Sequence, residues 1–395
     1  MNEEKRRHFD WTLLIVVALL SLFGLVIVYS ASYVLGFEFY DNFTFYFQRH
    51  LVWIIISFML LFFFAFFPYR RYKKLAPILV LASVFILLFV FIPGVGHDVN
   101  GAQRWIRFGG FTIQPSEFIK LTAIMYLAYV YSRKQSYIDD FLRGVFPPLC
   151  VIAVFFVLIL MQPDLGTATS IVIVSGLIVF CSGARTWHLF AMSIFGVSVV
   201  AYYAFSEDYR WNRIAGFMDP FASASGDGYQ LIQSYMAIAH GGLSGAGLGQ
   251  SVQKLFYLPE AHTDFILAIV SEELGFLGVT FVFGAIGLII LRGLLIGLRC
   301  PDTFGSLLAF GISFQLAIQV IFNAGAVSGV LPITGIPFPF LSYGGSSLIV
   351  TFIFIGILLN IDRYNGKMTK EESRLEEREE SSVSAKSDIS QPYIG

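Results

Sequence analysis

Asp264 stands where a polar, glycine-rich segment (207–263) gives way to an apolar stretch, FILAIVSEELGFLG, that also carries Glu272 and Glu273. Burying an ionised carboxylate in hydrocarbon costs several kcal/mol unless it is paired or faces a wet cavity, so acids at such depth are functional-site candidates. A second charged group sits in NGAQRWIRFGGFTIQPSEFIKL (100–121), which holds Arg104, Arg107, Glu117 and Lys120. Glu117 and Lys120 are three apart on a predicted helix and share a face. They read equally well as an internal ion pair and as part of a site, because a buried pair need not be functional. Lys254 is a candidate cation near Asp264. Glu272, eight residues on and about 12 Å along a helix, is too far to be its acid–base partner; Glu272 or Glu273 is expected to satisfy a packed polar interior or to contact the backbone of another span. Asp164, after a proline in MQPDLGT, reads first as a helix cap. The residues describe a membrane enzyme whose chemistry centres on Asp264.

Three further features bear on the site. In GVLPITGIPFPFLSYGGSS, prolines 332, 337 and 339 break regular hydrogen bonding, so the segment reads as a re-entrant loop. It offers the hydroxyls of Ser342, Tyr343, Ser346 and Ser347. GGLSGAGLGQS lacks the Gly-Lys-Ser/Thr ending of a phosphate loop. Cys150, Cys181 and Cys300 show neither a disulfide framework nor metal-ligand spacing.

The elements that position these residues must be membrane helices. Of 395 residues, 56% are hydrophobic and 13% charged, with 42 phenylalanines and a mean hydropathy of +0.72. A bilayer core of about 30 Å takes roughly 20 apolar residues in a helix, and the apolar blocks are continuous rather than alternating, which excludes a barrel. The expected fold is an all-α polytopic membrane protein with ten spans, near 12–33, 51–68, 75–93, 117–132, 146–161, 168–182, 188–205, 265–291, 304–323 and 347–361. Basic residues then fall on one side: Arg70, Arg71, Lys73 and Lys74, Arg133 and Lys134, Arg292 and Arg299, Arg363 and Lys367. By the excess of Lys and Arg in inner loops, both termini are cytoplasmic. That distribution and a net charge of -1 argue against nucleic acid as a partner. Residues 1–10 form an inner amino terminus and 11–363 the membrane domain. The large outer loop, 207–264, lies between spans seven and eight and reads as a folded cap in which QLIQSYMAIAH is an interfacial helix. After residue 363, KEESRLEEREE opens a charged tail expected to be disordered.

Together these segments resemble the SEDS family of bacterial cell-wall proteins (shape, elongation, division and sporulation), its FtsW and SpoVE branch more than RodA. The resemblance rests on GLVIVYSAS (24–32), NGAQRWI (100–106), QPSEFIKL (114–121), QPDLGT (162–167), FYLPEAHTDFILAIVSEELGFLG (256–278) and LPITGIPFPFLSYGGSS (331–347), in the family's order. It implies a peptidoglycan glycosyltransferase that polymerises lipid II in septal or spore wall synthesis. A class B penicillin-binding protein and other division-complex membrane proteins are the implied partners, in the bacterial cell membrane. It puts the essential aspartate at Asp264 and the paired acid and lysine of the fourth span at Glu117 and Lys120. On this reading Asp264 accepts the proton of an acceptor hydroxyl as it attacks the anomeric carbon, in one inverting displacement that gives a β-linked product. Lys120, Arg104, Arg213, Lys254 or a divalent cation (Mg or Mn, site unknown) would balance the undecaprenyl pyrophosphate that leaves. A flippase for the same lipid is the main alternative, though no inverted repeat is evident. A non-catalytic scaffold for the penicillin-binding protein would leave Asp264 without a task.

Overall fold

The protein, seen in a computed structural model, is described over residues 9–92, 96–99, 102–108, 111–188, isolated positions between 190 and 198, 215–226 and 228–389. Most of the seventh candidate span and Arg213 lie outside the described residues. The other nine candidate segments are all helical. They are α1 (Trp11–Tyr40), α2 (Phe45–Phe66), α3 (Tyr72–Phe89), α4 (Pro115–Arg133), α5 (Phe146–Leu160), α6 (Leu165–Cys181), α8 (Ile266–Leu298), α9 (Thr303–Val327) and α10 (Gly345–Ile389); α7 (Tyr229–Gly241) is the expected interfacial helix of the large loop. Among the described residues, seven helices are long and apolar enough to cross a membrane.

Local chemistry sets the boundaries. Asp10 caps α1 through its Oδ1, which accepts from the Leu13 amide at 2.9 Å. Pro115 opens α4 at a position whose missing N–H would have no helical partner, and Glu117 sits in the first turn, where the dipole favours an acid. The last span is the most enclosed: from Phe352 to Ile361 every residue but Asn360 is a buried apolar residue or glycine. An apolar surface all round fits a helix at the centre of a bundle rather than on its rim.

Three features differ from the sequence reading. Residues 96–113 form a small antiparallel sheet, β1 (Gly96–Val99), β2 (Ala102–Phe108) and β3 (Phe111–Ile113), in the order β1-β2-β3. β1 and β3 are too short to show a period in the sequence, and β2, AQRWIRF, does not alternate apolar and polar residues. Second, α10 runs on to Ile389, where the tail was expected to be disordered; its Glu, Lys and Arg are good helix formers, and no proline interrupts the run. Third, α8 is broken at Gly275 (φ 63°, ψ -158°). There the backbone of the large loop passes against it: Ala246 N donates to Glu272 O at 2.9 Å, Gly247 N to Glu273 O at 3.0 Å and Phe276 N to Gly242 O at 3.0 Å. A side chain at Gly275 would run into the Gly245 amide, and one at Gly245 into the Glu273 carbonyl. The glycine-rich GGLSGAGLGQS run is therefore a docking surface for a broken helix, whose freed carbonyls it satisfies.

Candidate active site

Asp264 is presented by a tight turn immediately before α8, in which Thr263 N and Phe265 N both donate to Glu260 O, at 3.1 and 3.3 Å. Its backbone is fixed from α9. The buried Asn323 amide donates to Asp264 O at 2.6 Å and to Ile336 O at 2.8 Å, which ties the turn to the proline-rich loop. That loop covers the carboxylate, since a Cβ on Gly335 would lie 3.8 Å from Asp264 Oδ2. Thr263 Oγ1 lies 3.0 Å from Asp264 Oδ1, 2.8 Å from Glu260 Oε2 and 3.0 Å from Glu260 O. One hydroxyl proton faces three acceptors, two of them carboxylates. Burial, and then the Glu260 charge, push Asp264 up from 3.8 to about 6. A carboxylate so placed takes and returns a proton near neutral pH better than an ordinary aspartate does.

The same loop connects Asp264 to the second charged group. Next to Gly335, Thr334 packs so closely on Gly166 of α6 that a Cβ there would lie 2.8 Å from Thr334 O. Two residues back, Asp164 caps α6 as expected: Oδ1 accepts from the Thr167 amide at 3.1 Å, while Oδ2 accepts from Gln114 Nε2 at 3.1 Å and Ser116 Oγ at 3.3 Å at the start of α4. One turn on, Lys120 Nζ lies 2.8 Å from both Glu117 oxygens, with the two side chains 2% and 4% exposed. Arg104, on β2, donates to the carbonyls of Gln162 and Pro163 in the α5–α6 turn, at 2.9 Å for Gln162. It is half-buried and faces carbonyls rather than an acid.

Several expected site residues are already engaged. Lys254, expected as a cation near Asp264, is sealed in an ion pair with Glu273 (2.7 Å) and bonded to Ser30 (3.0 Å), at 1% side-chain exposure. Its neighbour Glu272 accepts from the amides of Val252 and Gln253, at 2.9 and 3.3 Å, and from the Ser251 hydroxyl, and meets His240 at 3.0 Å. Glu272 thus anchors the large loop to α8, while Glu273 also accepts from Ser30 of α1, at 2.6 and 2.8 Å, and so ties a second transmembrane helix to the same junction. Ser342 Oγ accepts the Phe338 amide at 2.8 Å and Ser346 Oγ accepts the Gln114 amide at 2.9 Å, which leaves each hydroxyl its proton and one lone pair to offer. Tyr343 donates its amide to His262 O at 2.9 Å. Its ring lies 5.4 Å from Tyr46, 5.8 Å from His50 and 5.5 Å from His262. Burial pushes its phenol up, against the opposing effect of Arg49, so it stays a donor.

Asn323, Glu260, Thr263 and Arg49 were not singled out from the sequence. Arg49 alone left a signal, a cation at the outer end of a span where the inner-loop charge bias predicts none. The other three look like ordinary packing or loop residues. Among the described residues no three or more His, Cys, Asp or Glu are grouped to hold a metal ion.

Comparison with known proteins adds to this geometry. A family described as cell cycle protein, that of FtsW, RodA and SpoVE, matches residues 10–367. Stage V sporulation protein E of Bacillus subtilis is 43% identical over 361 residues, covering 91% of this chain and 99% of the relative. A probable peptidoglycan glycosyltransferase FtsW of the same organism is 43% identical over 376 residues, covering 92% and 93%. Among solved structures, one chain from a study of how a peptidoglycan synthase complex coordinates polymerization and crosslinking superposes with a TM-score of 0.74 at 29% identity, covering 90% of this chain and 98% of that one. The Thermus thermophilus rod shape determining protein RodA superposes with a TM-score of 0.66 at 28% identity, covering 90% and 97%.

Proposed function

Since the chain belongs to the family of FtsW, RodA and SpoVE, we propose that it is a multi-pass membrane peptidoglycan glycosyltransferase that polymerises lipid II, with Asp264 as its base. The observation that supports the role of Asp264 most is its setting. It is partly buried at the amino-terminal end of a span, has a pKa of about 6, and is held by Asn323 beneath a loop that also packs on the second charged group.

In the reaction, an acceptor sugar hydroxyl attacks the anomeric carbon of the donor. Its proton passes to Asp264, a carbon–oxygen bond forms on the face opposite the leaving group, and the bond to undecaprenyl pyrophosphate breaks. One displacement inverts the centre and gives a β-1,4 link. Of the described cations proposed from the sequence, Arg104 best suits the departing pyrophosphate, because Lys120 and Lys254 are each paired with a buried glutamate. Arg49, beside Tyr343, joins it on the same side. Glu117 and Lys120 shape the floor of the site as a closed pair. Among the described residues no three His, Cys, Asp or Glu are grouped to hold a Mg or Mn ion; substrate phosphates supply most ligands of such ions in many enzymes. A polyprenyl tail leaves the bilayer only at high cost, about 0.8 kcal/mol per CH₂, which places the chemistry at the membrane face.

The partner proposed is a class B penicillin-binding protein that crosslinks the strands, with other division-complex membrane proteins. The excess of basic residues on the face away from Asp264 supports cytoplasmic termini. Purified protein with that partner, given lipid II in vesicles, tests the assignment. Glycan polymer is the expected product; movement of lipid II between leaflets without polymer would support a flippase and overturn it.

A further inference from the structure

The end of α2 remote from Asp264 carries a second concave feature. α2 has 22 residues, about 33 Å at 1.5 Å each, close to the roughly 30 Å of a bilayer core. Tyr46, at its first turn, meets His262 with ring centroids 4.9 Å apart, so the residues just after Phe66 lie at the opposite membrane interface. There Phe67, Arg70, Arg71, Lys74 and Leu75 line a pocket of 420 Å³.

Its charge is concentrated. Arg70, Arg71 and Lys74 are exposed, and among the described residues none of them reaches a carboxylate, whereas the intervening Lys73 pairs with Asp302 at 3.0 Å. The two guanidinium groups are held over rings: Arg70 lies 4.3 Å from the Tyr364 ring centroid and also donates to its hydroxyl, and Arg71 lies 5.6 Å from that of Phe67. Three like charges within five residues repel one another unless an anion joins them. The walls are apolar and continue into lipid-facing surface, for Phe63 stacks on Phe67 at 5.8 Å and is 58% exposed, and Ile78, one turn beyond Lys74, is 64% exposed. A ligand that fits must carry a negative head at the interface and hydrocarbon beside it.

We propose that this pocket binds the phosphodiester headgroup of an anionic phospholipid, with its acyl chains along the apolar surface that includes Phe63 and Ile78. Basic pockets at the ends of transmembrane helices suit such headgroups, and each cation removed costs about five-fold in affinity.

The test uses the full-length protein in detergent, titrated with phosphatidylglycerol or phosphatidylcholine and read by native mass spectrometry. Wild type should retain phosphatidylglycerol in preference to phosphatidylcholine, and the Arg71→Gln/Lys74→Gln variant should lose about twenty-five-fold of that affinity. The control Arg143→Gln/Arg185→Gln removes two exposed cations elsewhere on the same face and should leave it nearly unchanged. Absence of a phosphatidylglycerol preference in wild type would overturn the proposal. So would an equal loss in the control, which would mean only the general field of that face, or displacement of the lipid by millimolar inorganic phosphate, which would mean a site for soluble anions. The wild-type preference does not depend on whether any variant folds.

Discussion

Neutralising Asp264 should make the protein inactive and more stable at once. The folded-state pKa of about 6 stands above the ordinary 3.8 because burial and Glu260 disfavour the charged form. A raised folded pKa means stability that is fully present below pH 3.8 and is lost as pH rises through 6. At pH 7.5 the charge therefore costs up to about 3 kcal/mol, at 1.36 kcal/mol per unit. Asp264→Asn keeps the size and the hydrogen bond to Thr263 while removing that cost. Thermal unfolding of purified wild type and variant should show the variant higher by several degrees at pH 7.5. The gap should shrink as the pH falls below 6, where wild type becomes neutral too. A variant that is less stable at pH 7.5, or a gap that does not change with pH, would refute the claim that the carboxylate is held in an unfavourable setting for function.

Glu260→Gln removes the second cause of the raised Asp264 pKa, so the acid limb of the polymerisation rate should move to lower pH in initial-rate profiles; an unchanged limb would mean the two carboxylates do not interact. Lys254→Met leaves Glu273 charged and buried, and chemical unfolding should report a loss of about 3–5 kcal/mol, most of it recovered in Lys254→Met/Glu273→Met. Asn323→Ala frees the carbonyls of Asp264 and Ile336. It should cost about 1–3 kcal/mol in unfolding and lower kcat more than it raises KM, as steady-state kinetics would show.

Much of this was legible in the sequence because the bilayer imposes a length rule. Apolar runs such as Trp11 onward and Thr303–Val327 announce helices whatever they pack against. Asp164 was legible as a cap because a cap is local, and Glu117 and Lys120 as a pair because three residues on a helix fix their distance. The partner of Lys254 was not legible because it depends on a fold-back: nineteen residues separate it from Glu273, and the break at Gly275 and the passage of the loop across it bring the two together. Asn323 was invisible for a related reason. An amide in an apolar run, even one in line with Gln315 and Gln319 at four-residue spacing, gives no sign of which carbonyls it will find in three dimensions. The helical course of the tail was obscured by its charge, which marks solvation but is equally compatible with a helix.

The central claim is that the charge of one side chain activates the acceptor. Its most direct test compares wild type with Asp264→Asn in purified complex with the proposed penicillin-binding partner, measuring lipid II bound and glycan polymer made on the same samples. The account predicts that lipid II still binds and polymer is lost. Strand synthesis continuing at the wild-type rate in the Asn variant would contradict it.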